Sequence, residues 1–185
     1  SQALDAGSWA KTNTTISADA VTAPDGTTTA DKVVESLDGG NTIHSLANSN
    51  QVSVAGHIYM LSAYFKAAER SSVRMGFNTN GFPALVTIFF DLSAGTLSNA
   101  GADLIDYGIE DAGDGWYRCY IVAESDADST NNSHGFIVAD GTAISYTGDG
   151  SSGLYVWGYQ YEDVSGAWAS ENLLLQSNTF DTTWT

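Results

Sequence analysis

Short apolar runs separated by turn residues constrain the fold of this 185-residue chain more than any other feature. Runs such as HIYMLSAYFKA, ALVTIFFDL, GWYRCYIVAES and GLYVWGYQYED alternate with turn signals such as NTNGFP, DAGDG and TGDGSSG. Strand-length runs bounded by Gly, Asn, Asp and Pro are typical of β-strands. About nine or ten such runs without intervening helices predict an all-β domain, an antiparallel two-sheet β-sandwich (jelly roll).

Alternation within the runs predicts which side chains are buried, because successive residues of a strand point to opposite faces of a sheet. The single cysteine, Cys119, lies in an apolar phase, so it is predicted to be a small buried hydrophobe. The predicted inward phases include Tyr59, Leu61, Ala63 and Phe65, then Val73, Met75 and Phe77, and then Tyr117, Cys119 and Ile121.

The outward phases of several strands carry aromatic, cationic and amide side chains, where a solvated sheet would carry Thr, Ser, Lys and Glu. Aromatic planes stack on the C–H faces of sugar rings, and guanidinium and amide groups hydrogen-bond hydroxyls. The pattern predicts a carbohydrate-binding face that Lys66, Arg74 and Arg118 share. A covered face or a subunit contact is the alternative, because Tyr, Trp and Arg are also enriched at interfaces. The predicted carbohydrate-binding residues are Tyr64, Arg74, Asn78, Phe89, Trp116, Arg118, Tyr120 and Gln160.

The net charge of −16 limits the partners of the chain. A nucleic-acid-binding protein needs a basic surface, which six Lys and Arg residues can hardly supply, and anionic membranes are disfavoured for the same reason. No apolar run approaches the ~18 residues of a membrane-spanning helix. We therefore expect neither nucleic-acid binding nor membrane insertion.

The motifs of catalysis are weak in this sequence. His44, His57 and His134 do not occur in zinc-binding spacings, and no GxSxG motif is present. Pairing of His44 with Tyr64 or Tyr120 in a β-elimination lyase is conceivable but not favoured. The chain is predicted not to be an enzyme, with no catalytic residues.

Three segments, TAPDGTTTADKV, GDGWYRC and YVWGYQYED in that order, resemble a domain common in phage tail-fibre and other virion proteins, with relatives in secreted polysaccharide-degrading enzymes. The chain resembles a jelly-roll carbohydrate-binding module, in the broad company of the family 4 and family 22 modules. The resemblance implies a non-catalytic module, extracellular or virion-associated, that binds a polysaccharide or host-surface glycan on a concave aromatic face. We expect a neutral β-glycan. The alternative is a structural spacer or oligomerising domain of a phage tail fibre with no ligand.

The resemblance also implies a structural calcium ion between the early turn and the last strand. By position, its ligands would be Asp25, Asp31, Glu162 and Asp163, and the alternative is that these are solvated acids. The final ENLLLQSNTFDTTWT resembles the usual opening of such a domain. We therefore expect a β-sandwich module over residues 1–170, with residues 171–185 starting a following repeat unit in a tandem neighbour domain or forming a closing strand.

Overall fold

A computed structural model describes residues 4–168, which form thirteen β-strands arranged in two sheets. The prediction for residues 171–185 lies outside the described residues. The strands are β1 (Trp9–Thr12), β2 (Thr14–Val21), β3 (Ala30–Glu35), β4 (Thr42–Ser53), β5 (Ile58–Ala67), β6 (Ser72–Gly76), β7 (Thr87–Asp91), β8 (Thr96–Ser98), β9 (Asp106–Asp111), β10 (Trp116–Glu124), β11 (Ser129–Ala139), β12 (Ser145–Tyr146) and β13 (Gly153–Asp163).

The two sheets pack face to face, and every strand pair is antiparallel. Sheet A has the order β1-β4-β11-β6-β7-β8, with β12 paired to β4. Sheet B has the order β2-β3-β13-β5-β10-β9. The predicted all-β class and the antiparallel two-sheet sandwich are confirmed. Within residues 4–168, no helix is long and apolar enough to cross a membrane.

The core lies between the sheets and follows the predicted alternation. Leu61, Phe65 and Met75 have no exposed surface, and the Phe65 and Phe136 rings meet edge to face across the two sheets at 5.0 Å. Cys119 is also fully buried, as predicted, and burial raises the pKa of its thiol well above the usual range. Because interior side chains pack at nearly crystalline density, these residues hold the two outer faces in fixed positions.

Strand β13 departs from simple alternation at Gly158, where the backbone adopts a φ of +62° and the register against β5 shifts. Tyr155 and Trp157, before the shift, pack with residues on the outer face of sheet B. Tyr159, after the shift, is 3% exposed and donates a hydrogen bond from its hydroxyl to the His134 carbonyl at 2.8 Å. The bulge therefore sends tyrosines that share one sequence phase to opposite faces of the sheet.

One end of the sandwich is closed by a buried ion pair. Glu35, at the end of β3, accepts hydrogen bonds from Nε and Nη2 of Arg70, each at 2.8 Å. It also accepts hydrogen bonds from the Tyr146 hydroxyl and the Asp149 backbone N–H, both at 2.9 Å. Since Tyr146 lies in β12 of sheet A and Glu35 in sheet B, this network ties the two sheets together.

Candidate functional site

The eight predicted carbohydrate-binding residues divide between opposite faces of the sandwich. The expectation that Lys66, Arg74 and Arg118 share one face is wrong, because Arg74 lies in sheet A and the other two lie in sheet B. Alternation separates inward from outward residues, but each sheet has its own outward face. The outer face of sheet B holds Tyr64, Trp116, Arg118, Tyr120 and Gln160, and the outer face of sheet A holds Arg74, Asn78 and Phe89.

Trp116 is covered, which corrects its predicted role as a stacking platform. It is 2% exposed and packs with Ala23 and Ala30 beneath the connection between β2 and β3. Its indole N–H donates to the Thr22 carbonyl at 3.2 Å. The buried ring has no free face for a sugar, so in this arrangement Trp116 anchors the connection to the sheet.

Tyr64 also lies on the outer face of sheet B and is held by other side chains. Its ring meets Trp157 edge to face at 5.4 Å, and the Trp157 indole N–H donates to the Thr29 hydroxyl at 3.2 Å. These contacts extend the layer of Trp116 along β13. Gln160 lies in β13, which β5 separates from β10. Its side chain is exposed and lies beside Ser62 of β5.

Arg118 and Tyr120 are also partnered on this face. Arg118 forms an ion pair with Glu110 of β9 at 3.2 Å, and its guanidinium carbon lies 5.2 Å from the centre of the Tyr120 ring. The Tyr120 ring covers Gly108, where a Cβ atom would come within 2.5 Å of it. A cavity of about 370 Å³ lies beside this pair and is bordered by Trp168. Arg118 therefore already has Glu110 and the Tyr120 ring as partners.

The outer face of sheet A is different, because it carries an open groove whose lining contains no carboxylate among residues 4–168. We call this feature the sheet A groove; it crosses β4, β11, β6 and β7 and has a volume of about 270 Å³. Its lining combines small polar side chains with apolar ones. They include Ser45, Ala47, Arg74, Asn78, Thr87 and Ser133.

Glycine forms part of the floor of the sheet A groove. A Cβ atom at Gly135 would lie 2.0 Å from the carbonyl oxygen of Leu46, so the backbones of β4 and β11 approach too closely for any other residue. At Gly76, a Cβ atom would lie 2.7 Å from the Thr87 methyl group. The absence of these side chains leaves depth between the rows of Ser, Thr and Asn.

Arg74 stands at one side of the sheet A groove without an acidic partner. It pairs in register with Phe89 of β7 and Ile137 of β11, and its guanidinium carbon lies 5.9 Å from the Phe89 ring centre. Arg74 makes no ion pair within the described part of the chain. Burial lowers the pKa of the guanidinium below its usual value. An arginine in this setting has unused hydrogen-bond donors directed at an open groove.

Asn78 lies at the end of the groove and is fixed from below by a buried histidine. Its backbone N–H donates to Nδ1 of His134 at 2.9 Å, and its side-chain oxygen accepts from the Asn80 backbone N–H at 2.8 Å. His134 has no exposed surface, and burial lowers its pKa to about 4. His134 is therefore neutral near pH 7, and its ring nitrogen accepts the Asn78 hydrogen bond.

Sequence reasoning missed the small residues of the groove. Ser45, Thr87 and Ser133 lie in outward phases and look like an ordinary solvated sheet, while aromatic residues attract attention. The available signal was glycine inside a strand pattern, as in SHGFIVA, because a mid-strand glycine marks close backbone approach.

The four carboxylates expected to bind calcium are not brought together. Asp25 lies in the exposed β2–β3 connection, and Asp31 is buried, where its oxygens accept hydrogen bonds from the Leu4 and Asp19 backbone N–H groups. Asp163 pairs with His57 at 2.7 Å at the far end of β13, next to the exposed Glu162.

Asp31 is the partner of Val156, so seven residues of β13, about 20 Å of strand, separate it from Asp163. Asp31 and Asp163 therefore lie at different places along β13, and the structural calcium ion implied by the resemblance stays a prediction. Within residues 4–168, no group of three or more His, Cys, Asp or Glu side chains is arranged to hold a metal ion.

The conceivable His–Tyr pair is also not formed. His44 has no exposed surface and lies on the core side of sheet A, where its Nδ1 is 2.9 Å from the Asn13 carbonyl. Tyr64 and Tyr120 lie on the outer face of sheet B. The core therefore separates the imidazole from both hydroxyl groups.

Comparison of the sequence with protein-family models and with curated proteins gives no match. The outer face of sheet B has an open cavity of about 590 Å³ beside Lys66. The sheet A groove combines Arg74 with the small polar residues Ser45, Thr87 and Ser133 around an open volume.

Proposed function

We propose that this domain is a non-catalytic carbohydrate-binding module that binds a polysaccharide in the sheet A groove. The observation that carries the proposal is a groove that combines small polar side chains with Arg74, which has no acidic partner among residues 4–168 and lies beside the Phe89 ring. Sugar hydroxyls require donors and acceptors, which Ser45 of β4, Ser133 of β11 and Thr87 of β7 supply around the same groove.

The sheet A groove also suits a polymer better than a small compact ligand. It is open to solvent along strands rather than enclosed, and its volume of about 270 Å³ is at the low end for a ligand pocket. A polysaccharide chain would place one or two sugar units in the groove and continue beyond it. The polar side chains of the lining would give orientation, while Phe89, beside Arg74, would supply an apolar surface.

A groove-filling substitution tests the location. Ala47 lies in β4 at the sheet A groove, in register with Gly135, and Ala47→Trp would fill the open volume from a regular strand position. We expect this variant to lose binding to any polysaccharide that wild type binds, measured by affinity electrophoresis and calorimetry against neutral β-glucans, xylan, mannan and polyuronates. The matched control on the outer face of sheet B, Tyr120→Ala, should keep wild-type affinity.

Two outcomes would contradict the proposal. If Tyr120→Ala abolishes binding and Ala47→Trp does not, the ligand lies on sheet B. If wild type binds no member of the panel, the domain fits the alternative of a structural spacer or oligomerising fibre domain. Circular dichroism of both variants, compared with wild type, separates lost binding from lost folding.

A further inference from the structure

We propose that the sheet A groove selects a polysaccharide that carries carboxylate groups, and that Arg74 pairs with one of these carboxylates. The inference rests on the proposed function, because it names the class of glycan that the same groove binds. It departs from the neutral β-glycan expected from the sequence.

The first argument is the local distribution of charge. The chain has 22 Asp and Glu residues and only six Lys and Arg residues. Even so, the described lining of the sheet A groove contains one arginine and no acid. A groove with a single positive charge on a strongly acidic domain forms a local site for an anionic group. At ~0.15 M salt, charges more than about 8 Å away are largely screened, so the overall negative charge does not prevent such binding.

The second argument is how the domain uses its other cations. Lys32 pairs with Glu69 at 2.7 Å, Arg70 with Glu35 at 2.8 Å and Arg118 with Glu110 at 3.2 Å. Lys11 donates to backbone carbonyls. Among residues 4–168, Arg74 and Lys66 make no ion pair.

The third argument is that a nearby acid does not pair with Arg74. Asp91 lies on the adjacent strand β7, two residues beyond Phe89, the register partner of Arg74. Its Oδ1 accepts from the hydroxyl of Ser93 at 2.6 Å and from the backbone N–H groups of Ser93 and Ala94. The Asp91 carboxylate is therefore used by the turn after β7, which leaves the guanidinium of Arg74 open toward the groove.

The shape of the guanidinium favours a carboxylate. Its planar fork of N–H groups matches two coplanar oxygens and forms parallel hydrogen bonds with them. A sugar carboxylate also leaves ring hydroxyls free for Ser45, Thr87 and Ser133. Partial burial of Arg74 strengthens the pairing, because fewer water molecules compete for its donors.

The experiment compares acidic polymers with their neutral counterparts. Polygalacturonate, alginate and hyaluronate, each with its carboxyl-reduced form, are titrated against wild type, and dextran sulfate serves as the sulfated probe. We expect at least one carboxylated polymer to bind about tenfold more tightly than its reduced form, as is typical of a hydrogen-bonded charge pair. Arg74→Gln should remove this preference, and Arg74→Lys should retain only part of it.

Lys66→Gln provides the matched control. It removes the same charge from a cation on sheet B that makes no ion pair among residues 4–168, and it should leave the preference unchanged. The affinity of wild type for the carboxylated polymer should also fall as salt rises from 0.05 to 0.5 M, and Arg74→Gln should flatten this dependence.

The results separate this inference from the proposed function. If acidic and reduced polymers bind equally and Ala47→Trp blocks both, the inference is overturned while the proposed function stands. If dextran sulfate is preferred and its binding needs Arg74, carboxylate selection is overturned. If no polymer binds, or if Ala47→Trp blocks none, both the inference and the proposed function fail.

Discussion

Arg70 and Arg74 lie four residues apart, on the same stretch of chain, yet the structure gives them opposite surroundings. Arg70 makes two 2.8 Å hydrogen bonds to Glu35 and lies over the Tyr146 ring at 4.6 Å. Arg74 faces a groove whose lining within residues 4–168 holds no carboxylate, and its guanidinium carbon lies 5.9 Å from the centre of the Phe89 ring. A charged side chain can bind a ligand only if its hydrogen-bond donors are not already occupied by partners within the fold, which distinguishes Arg74 from Arg70.

The strongest test of the comparison is the loss of stability when each arginine is removed. Arg70→Met leaves the buried Glu35 carboxylate without its partner, which should lower the free energy of unfolding by about 3–5 kcal/mol. Arg74→Met removes no ion pair and should change it by less than about 0.5 kcal/mol. Urea unfolding followed by tryptophan fluorescence measures both. Equal losses would show that Arg74 is structural as well.

The same contrast applies to the aromatic residues of the two outer faces. Trp116→Ala on sheet B empties a buried position and should cost about 3 kcal/mol of stability. Phe89→Ala on sheet A, at a half-buried position, should cost about 1 kcal/mol and weaken polysaccharide binding instead. If the affinity falls for Trp116→Ala in a fully folded sample, the outer face of sheet B takes part in binding.

Acid should weaken the Arg70 side of the comparison. Burial alone raises the pKa of Glu35, but hydrogen bonds from Arg70, Asp149 and Tyr146 together lower it below its usual value of 4.5. A group with a lowered folded pKa stabilises the protein above its unfolded pKa and loses this effect as pH falls through the folded value.

The stability difference between wild type and Arg70→Met should therefore shrink as pH falls and Glu35 becomes protonated, because the protonated carboxyl no longer needs the Arg70 charge. His134 also lowers the stability of both proteins in acid, because its pKa of about 4 in the folded state disfavours protonation there. Its contribution cancels in the difference. A difference that is constant with pH would contradict the role of Arg70.

Arg118 is the intermediate case, and its removal should have a small effect on the free energy of unfolding. Its ion pair with Glu110 is partly exposed, so Arg118→Ala should cost less than about 1 kcal/mol, and less again at 0.5 M salt. Thermal unfolding at two salt concentrations measures this. A loss comparable to that of Arg70→Met would mean that the outer face of sheet B carries more of the stability than its exposure indicates.

Much of the fold follows from local patterns in the sequence. Alternation places Leu61, Phe65, Met75 and Cys119 in the core, since burial of one phase of a strand depends on near neighbours alone. It does not assign a strand to a sheet, because that depends on pairing between distant segments. For this reason the predicted single face containing Arg74 and Arg118 divides into two.

The other wrong predictions, on β13 and Trp116, arise from local structural features that a pattern of residue types does not reveal. The bulge at Gly158 changes the phase of β13, so Trp157 and Tyr159 point to opposite faces. The β2–β3 connection folds over Trp116, and only tertiary contacts determine that cover. The proposed groove was missed because its floor depends on backbone approach at Gly135.

The alternation of sheet A also has an evolutionary consequence. Ser45, Thr87 and Ser133 face the sheet A groove, while their chain neighbours Leu46, Ile88 and His134 are buried. Substitutions at the first set would change the surface of the proposed binding groove without creating cavities, and substitutions at the second set would change stability. If the proposed function holds, selection can diversify ligand preference on β4, β7 and β11 while the fold is inherited unchanged. A library randomised at these three positions is a route to new specificities on the same scaffold.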